Sequence, residues 1–149
     1  GIGFVGMCFT GGYGLAMMRE EAVIAPVLSQ PSQPLPLGKA RSANVGLDAA
    51  QLRAVAERAE ADCPVLGLRF TGDPAVPAER FETLRAALGD HFLYEEITSP
   101  DSSLNPKVEK FAHSVLTEDL APDSVPEHPT QVALTRTLEF LSQRLLPAD

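Results

Sequence analysis

The sequence predicts an α/β fold, a mostly parallel sheet flanked by helices, and three observations carry that prediction. Short apolar runs, partly β-branched, at residues 2–5, 23–28, 65–70 and 92–97 alternate with amphipathic stretches of helical period. The run at 65–70 is apolar except for Arg69, as a strand covered on both faces requires. Glycine and proline punctuate the junctions between these segments. Strands that alternate with helices are joined by right-handed crossovers, and such sheets gather ligands at the carboxyl ends of their strands.

The chain is organised around its first twelve residues, Gly-Ile-Gly-Phe-Val-Gly-Met-Cys-Phe-Thr-Gly-Gly. An apolar strand at 2–5 runs into a glycine-crowded turn around Cys8, and helix-forming residues follow at 13–19. Gly6, Gly11 and Gly12 suit a tight strand-to-helix turn that leaves no room for Cβ atoms. A thiol on such a turn stands clear of the backbone, and the N–H groups of the helix start face the same space. Cys8 is therefore the candidate nucleophile. Taken alone it reads equally as a small buried hydrophobe, since Gly-x-Cys-x-Thr departs from Gly-x-Ser-x-Gly at two positions.

The next strand, at 23–28, contains Pro26, which must sit where an N–H is not needed. Residues 29–46 form a loop rich in proline (Pro31, Pro34, Pro36), a length that suits either an active-site wall or a surface excursion. Asp48 and Gln51 form a capping box for a helix whose apolar face is Leu52, Val55, Ala56 and Ala59. Pro64 ends that region and the strand at 65–70 leads into Thr-Gly-Asp-Pro-Ala-Val-Pro, residues 71–77. A helix at 78–88 buries Phe81, Leu84, Ala87 and Leu88 and stops at Gly89. After the strand at 92–97, residues 98–112 are polar loop with a helical turn near 108–111, delivering His113. A last helix at 130–146 carries Val132, Leu134, Leu138, Leu141 and Leu145 as its apolar residues.

Composition limits the function classes. At 149 residues and 44% hydrophobic, residues 1–149 can bury a core as a single domain. A net charge of −8 leaves no basic patch for nucleic acid, and no apolar run approaches a membrane span. The apolar opening lacks a basic region and does not read as a signal peptide. Two cysteines, Cys8 and Cys63, provide neither a disulfide framework nor a Cys-rich zinc site, so no metal or cofactor is expected and a reducing cytoplasm is the simplest setting. A glycine start immediately inside an apolar strand suggests that an N-terminal part, with further strands, precedes this chain.

Cys8, Asp73 and His113 each follow a strand on the same predicted edge. An imidazole can take the thiol proton, and a carboxylate can hold the imidazole's tautomer and stabilise its charged form. Nucleophile, acid, histidine is the chain order of the α/β-hydrolases. The bland alternatives are a turn-organising or helix-capping Asp73 and a loop histidine bonded to backbone. His91 reads as a partner of a helix dipole, His128 as a helix boundary and Cys63 as a buried spacer. Asp62, Glu95 and Glu96 read as solvated charges, and Met7, Met17 and Met18 as packing.

These residues carry a resemblance to the dienelactone hydrolase family, an α/β-hydrolase group with a Cys-His-Asp triad. Gly6-Met7-Cys8-Phe9-Thr10-Gly11-Gly12 resembles its nucleophile elbow, Gly72-Asp73-Pro74-Ala75-Val76-Pro77 its acid loop, and Ala112-His113-Ser114 its histidine segment. The similarity covers essentially the whole chain and the C-terminal part of a family member. It implies hydrolysis of a carboxylic ester or lactone through a thioester acyl-enzyme. By that resemblance Cys8 attacks, His113 transfers the proton, Asp73 orients His113, and the Phe9 N–H supplies half of the oxyanion hole. Met7, beside the elbow, would border the substrate. Thr10 stands where the family has glycine, and Thr117 where its dienelactone-binding members have an arginine, so the resemblance stops short of dienelactone as the substrate. The other oxyanion donor and an upstream carboxylate would precede Gly1. The alternative is a non-catalytic, hydrolase-like binding fragment that self-associates through the exposed edge of strand 2–5.

Overall fold

The computed structural model of the protein describes residues 1–98 and 112–146. Four strands, β1 (Ile2–Met7), β2 (Val23–Ser29), β3 (Val65–Phe70) and β4 (Phe92–Ile97), form one sheet in the order β1-β2-β3-β4, and every neighbouring pair is parallel. The helices are α1 (Tyr13–Met17), α2 (Lys39–Ser42), α3 (Ala49–Asp62), α4 (Ala78–Leu88) and α5 (Pro129–Leu145). This is the α/β class. The described helices include none long and apolar enough to cross a membrane.

When successive parallel strands advance in one direction, right-handed crossovers place their connecting helices on the same face. One core cluster accordingly unites Leu15 of α1, Val55 and Ala59 of α3, and Phe81 and Leu84 of α4 with Leu28 and Val65 of the sheet. The opposite cluster joins Ala25, Val27, Leu66, Leu68 and Phe70 to Ala112, Val115 and the α5 residues Ala133 and Phe140. All six residues of β3 are buried, in keeping with a central strand between two helical layers. Pro26 fits because the β2–β3 ladder begins one residue later, at Val27 paired with Leu66.

Local signals explain several boundaries. Asp48 accepts from the Gln51 N–H at 2.8 Å while the Gln51 side chain accepts from the Asp48 N–H at 2.9 Å, a complete capping box at the start of α3. Gly89 ends α4 with a φ of 54°, a conformation that favours glycine. His128 caps α5, accepting from the Thr130 N–H.

The structure also departs from the sequence reading. β1 extends two residues past Val5, to Met7; a 3₁₀ turn occupies Cys8–Gly12, and the helix after it begins at Tyr13 as expected but ends at Met17, two residues early. A short helix, α2, interrupts the proline-rich loop. The buried residues of α5 are Thr130, Gln131, Ala133, Thr137 and Phe140, and Leu141 of the expected stripe packs against the same core, whereas Val132, Leu138 and Leu145 are exposed. The expected stripe held only in part because residues 132 and 134 lie on opposite sides of a helix, whereas 133, 137 and 140 share one face. Thr137 is accommodated there by donating to the Ala133 carbonyl at 2.7 Å. Met18 is core, but Met7 and Met17 are more than a third exposed. The helical turn expected at 108–111 lies outside the described residues.

Candidate active site

The carboxyl ends of β1 and β2 are level, with Met7 opposite Ser29, and Ser29 is opposite Leu68 on β3. The chain therefore delivers residues 8, 32 and 73 to one rim, and residue 113 joins them from the segment after β4. At Cys8 the backbone adopts φ 52°, a left-handed conformation that costs a non-glycine residue on the order of 1–3 kcal/mol. This is the sharp elbow that the glycine pattern predicts. A Cβ on Gly6 would stand 2.6 Å from the Thr10 carbonyl and 2.9 Å from Gly11 Cα, so the strand can fold back this tightly only without one.

Thr10 has a job of its own at this turn. Its hydroxyl donates to the Met7 carbonyl at 2.8 Å and accepts from the Met7 N–H at 3.1 Å, clasping the end of β1 to the 3₁₀ turn. A glycine there could supply neither bond. Met7 is thus held through its main chain, and its side chain stands partly exposed beside Cys8.

Asp73 is 4% exposed, and its two carboxylate oxygens divide their work. Oδ1 accepts from the Ala75 N–H at 2.9 Å, fixing the turn, while Oδ2 lies 2.5 Å from Nδ1 of His113. The cap of α4 is Pro77, with no side-chain bond, so Asp73 does not cap that helix. The loop that carries Asp73 is held from beneath by Arg69. This buried guanidinium donates from Nε to the Val76 carbonyl at 2.9 Å, from Nη2 to the Thr71 carbonyl at 3.1 Å, and from Nη1 to Glu96. Glu96 is therefore an ion-pair partner and not a free solvated charge. Glu95 pairs with Arg136 and Asp62 with Arg144, although Asp62 stays largely exposed.

His113 is fixed through its backbone as well as its ring. One oxygen of Asp119 accepts both the His113 N–H, at 2.9 Å, and the Ser114 N–H, at 2.8 Å. Two residues on, the Val115 N–H donates to Oε1 of Gln30 at 3.3 Å, which ties the histidine segment to the end of β2. Gln30 is itself buried and holds a left-handed φ of 37°.

Charge and hydrogen bonding follow from this arrangement. The Asp73 hydrogen bond, opposed by burial and aided by Cys8, pushes the His113 imidazole up to about 9 from its ordinary 6.5. Burial acts to raise the Cys8 thiol, but hydrogen bonds from His113 and Ser32, the imidazolium charge and the Phe9 N–H together hold it below its ordinary range. The electrostatics shift the pair towards thiolate and imidazolium. Cys63 is the opposite case: its thiol is buried against α3, donates to the Val23 carbonyl at 3.4 Å, and is pushed up by burial.

Sequence reasoning missed Ser32, whose hydroxyl lies 3.5 Å from Sγ of Cys8. The available signal was a serine in a proline-rich loop leaving the carboxyl end of a strand. Phe9, next to Cys8 in the chain, and Tyr13, at the start of α1, stand about half exposed with ring centroids 5.8 Å apart. Among the described residues no group of three or more His, Cys, Asp or Glu side chains is placed to hold a metal ion.

No protein-family model, curated protein or solved structure matches the chain.

Proposed function

We propose that the protein hydrolyses a carboxylic ester or lactone through a Cys8 thioester, as a dienelactone hydrolase-like member of the α/β-hydrolase fold. The observation that carries this reading is the convergence of Cys8, His113 and Asp73 on one rim, with the carboxylate on Nδ1 and the thiol depressed by the imidazole. The thiolate attacks the carbonyl carbon and the negative charge moves to the carbonyl oxygen, where the Phe9 N–H is available as a donor. His113, protonated, gives its proton to the departing alkoxide and then removes one from the water that cleaves the thioester. Asp73 keeps the ring oriented through both steps. The exposed Phe9 and Tyr13 rings at the elbow and the start of α1, with Met7, favour an apolar substituent on the substrate. A reducing, cytoplasmic setting fits an activated thiol with no disulfide partner.

The test is turnover of p-nitrophenyl acetate, with acid quenching and peptide mass spectrometry to find the acyl group. The expected result is an acetyl adduct on Cys8 and a loss of roughly three orders of magnitude or more in Cys8→Ala. Unchanged turnover in Cys8→Ala would overturn the proposal.

A second reading rests on β1. Among the described residues it is an edge strand, and Ile2, Val5 and Met7 are exposed along it. Such an edge favours pairing with a second copy, giving a binding fragment without catalysis. Sedimentation over a range of concentrations tests it: a monomer throughout excludes self-association, and slow, equal alkylation of Cys8 and Cys63 favours the inert form.

A further inference from the structure

The loop between β2 and α3 has little regular structure of its own, yet it is firmly seated. Its principal fastening is Arg80, in the first turn of α4, 1% exposed. The guanidinium donates from Nη1 to the Pro31 carbonyl at 2.6 Å, from Nε to the Asn44 carbonyl at 2.9 Å, and from Nη2 to the carbonyls of Pro34 and, at 3.4 Å, Arg41. These acceptors are all main-chain carbonyls. A buried cation that meets dipoles in place of a carboxylate is costly, so its retention calls for a reason. From the other side, a Cβ on Gly11 would lie 2.8 Å from Pro31 Cα, and one on Gly12 would lie 2.8 Å from the Gln33 carbonyl. The loop is pressed between α4 and the elbow.

The residue pinned between these contacts is Ser32. Its N–H donates to the Cys8 carbonyl at 3.0 Å and its hydroxyl lies 3.5 Å from Sγ, while the side chain is 4% exposed. We propose that Ser32 is a further catalytic residue, donating a hydrogen bond to the Cys8 thiolate, and that Arg80 is a positioning residue acting through it. This rests on Cys8 being the nucleophile. The thiol proton resides on His113 and Ser32 keeps its own, so no proton leaves the serine; as sulfur bonds to the acyl carbon, its charge passes to the carbonyl oxygen. The titratable groups around Sγ in the described residues are His113, from the segment after β4, and behind it Asp73, from the loop after β3.

The experiment is the pH dependence of iodoacetamide alkylation at Cys8, followed by peptide mass spectrometry, in Ser32→Ala, Ser32→Thr, Arg80→Met, Arg80→Lys and the Ser32→Ala, Arg80→Met double variant. Ser32→Ala should move the midpoint up by about one pH unit, the scale of a hydrogen bond to a charged group, and Ser32→Thr should restore it. Arg80→Met should shift it the same way. The double variant should shift it no further than Ser32→Ala, and Arg80→Lys should not rescue, because one ammonium cannot reach carbonyls spread along the loop. An unmoved midpoint in Ser32→Ala overturns the serine's role. Additive shifts, or full rescue by lysine, overturn the relay through Ser32. If the arginine variants do not fold, Ser32→Ala still decides the first point. Alkylation needs no substrate, so failure of the hydrolase reading, seen as full turnover in Cys8→Ala, is separable from failure of this one.

Discussion

Nδ1 of His113 stands 2.5 Å from Oδ2 of Asp73, forty residues away in the chain, and this contact is the chief reason that the imidazole stays protonated up to about pH 9. Because the folded value lies above the ordinary 6.5, the interaction contributes its full stability below about pH 6.5 and loses it as pH rises through 9. The thiol, depressed in the folded state, contributes with the opposite sign, so the measurement belongs in Cys8→Ala. Urea unfolding of that variant should show stability falling as pH rises above 6.5, over a window that ends below 9 because the contribution of Cys8 is gone, and adding Asp73→Asn should flatten the curve.

The same asparagine substitution should lower kcat/KM of the otherwise native protein by about two to four orders of magnitude. Steady-state ester hydrolysis measures this. A loss below tenfold would mean that Asp73 serves the turn at Ala75 and not the ring.

Cys8 and Cys63 should differ sharply towards iodoacetamide. Cys8 should label at lower pH than an ordinary thiol, since its thiol is depressed, and Asp73→Asn should slow it by weakening the imidazolium. Cys63, buried and pushed up, should label only on unfolding. Equal rates at the two peptides would contradict this.

The elbow makes a prediction about stability alone. Cys8→Ala keeps a side chain at φ 52°, whereas Cys8→Gly removes it. The glycine variant should be more stable than the alanine variant by about 1 kcal/mol, despite the general cost of glycine. Thermal unfolding of the two proteins decides it.

Arg69→Met should lower stability by about 3 kcal/mol, the low end for breaking a buried ion pair, because Glu96 keeps some access to water. It should also reduce activity, since the carbonyls of Thr71 and Val76 bracket Asp73. Urea unfolding alongside esterase assays separates the two effects.

The residues that were legible in the sequence are those whose roles are local or follow a period. Strand β3 announced itself by an apolar run, α3 by Asp48 and Gln51, and the elbow by glycines whose missing Cβ atoms the turn requires. Arg80 and Asp119 were not legible, because they act on main-chain carbonyls and N–H groups that every residue type offers. Ser32 sits in the same blind spot: only tertiary folding brings it to a sulfur twenty-four positions earlier. The α5 reading failed in part for a different reason, since hydrophobicity alone was followed and the buried positions are largely small or polar: Thr130, Gln131, Ala133 and Thr137 beside Phe140. Glu96 looked solvated because its partner, Arg69, is hidden inside a strand that otherwise carries no charge.

Each successive strand hands one group to the rim: Cys8 after β1, Ser32 after β2, Asp73 after β3 and His113 beyond β4. Emergence from the ribosome follows that same order, so the nascent chain exposes its sulfur first and its base last. Until the segment beyond β4 docks, the thiol has no imidazole beside it to lower its pKa. Recovery of rapid Cys8 labelling during refolding would therefore time the docking of the segment that carries His113.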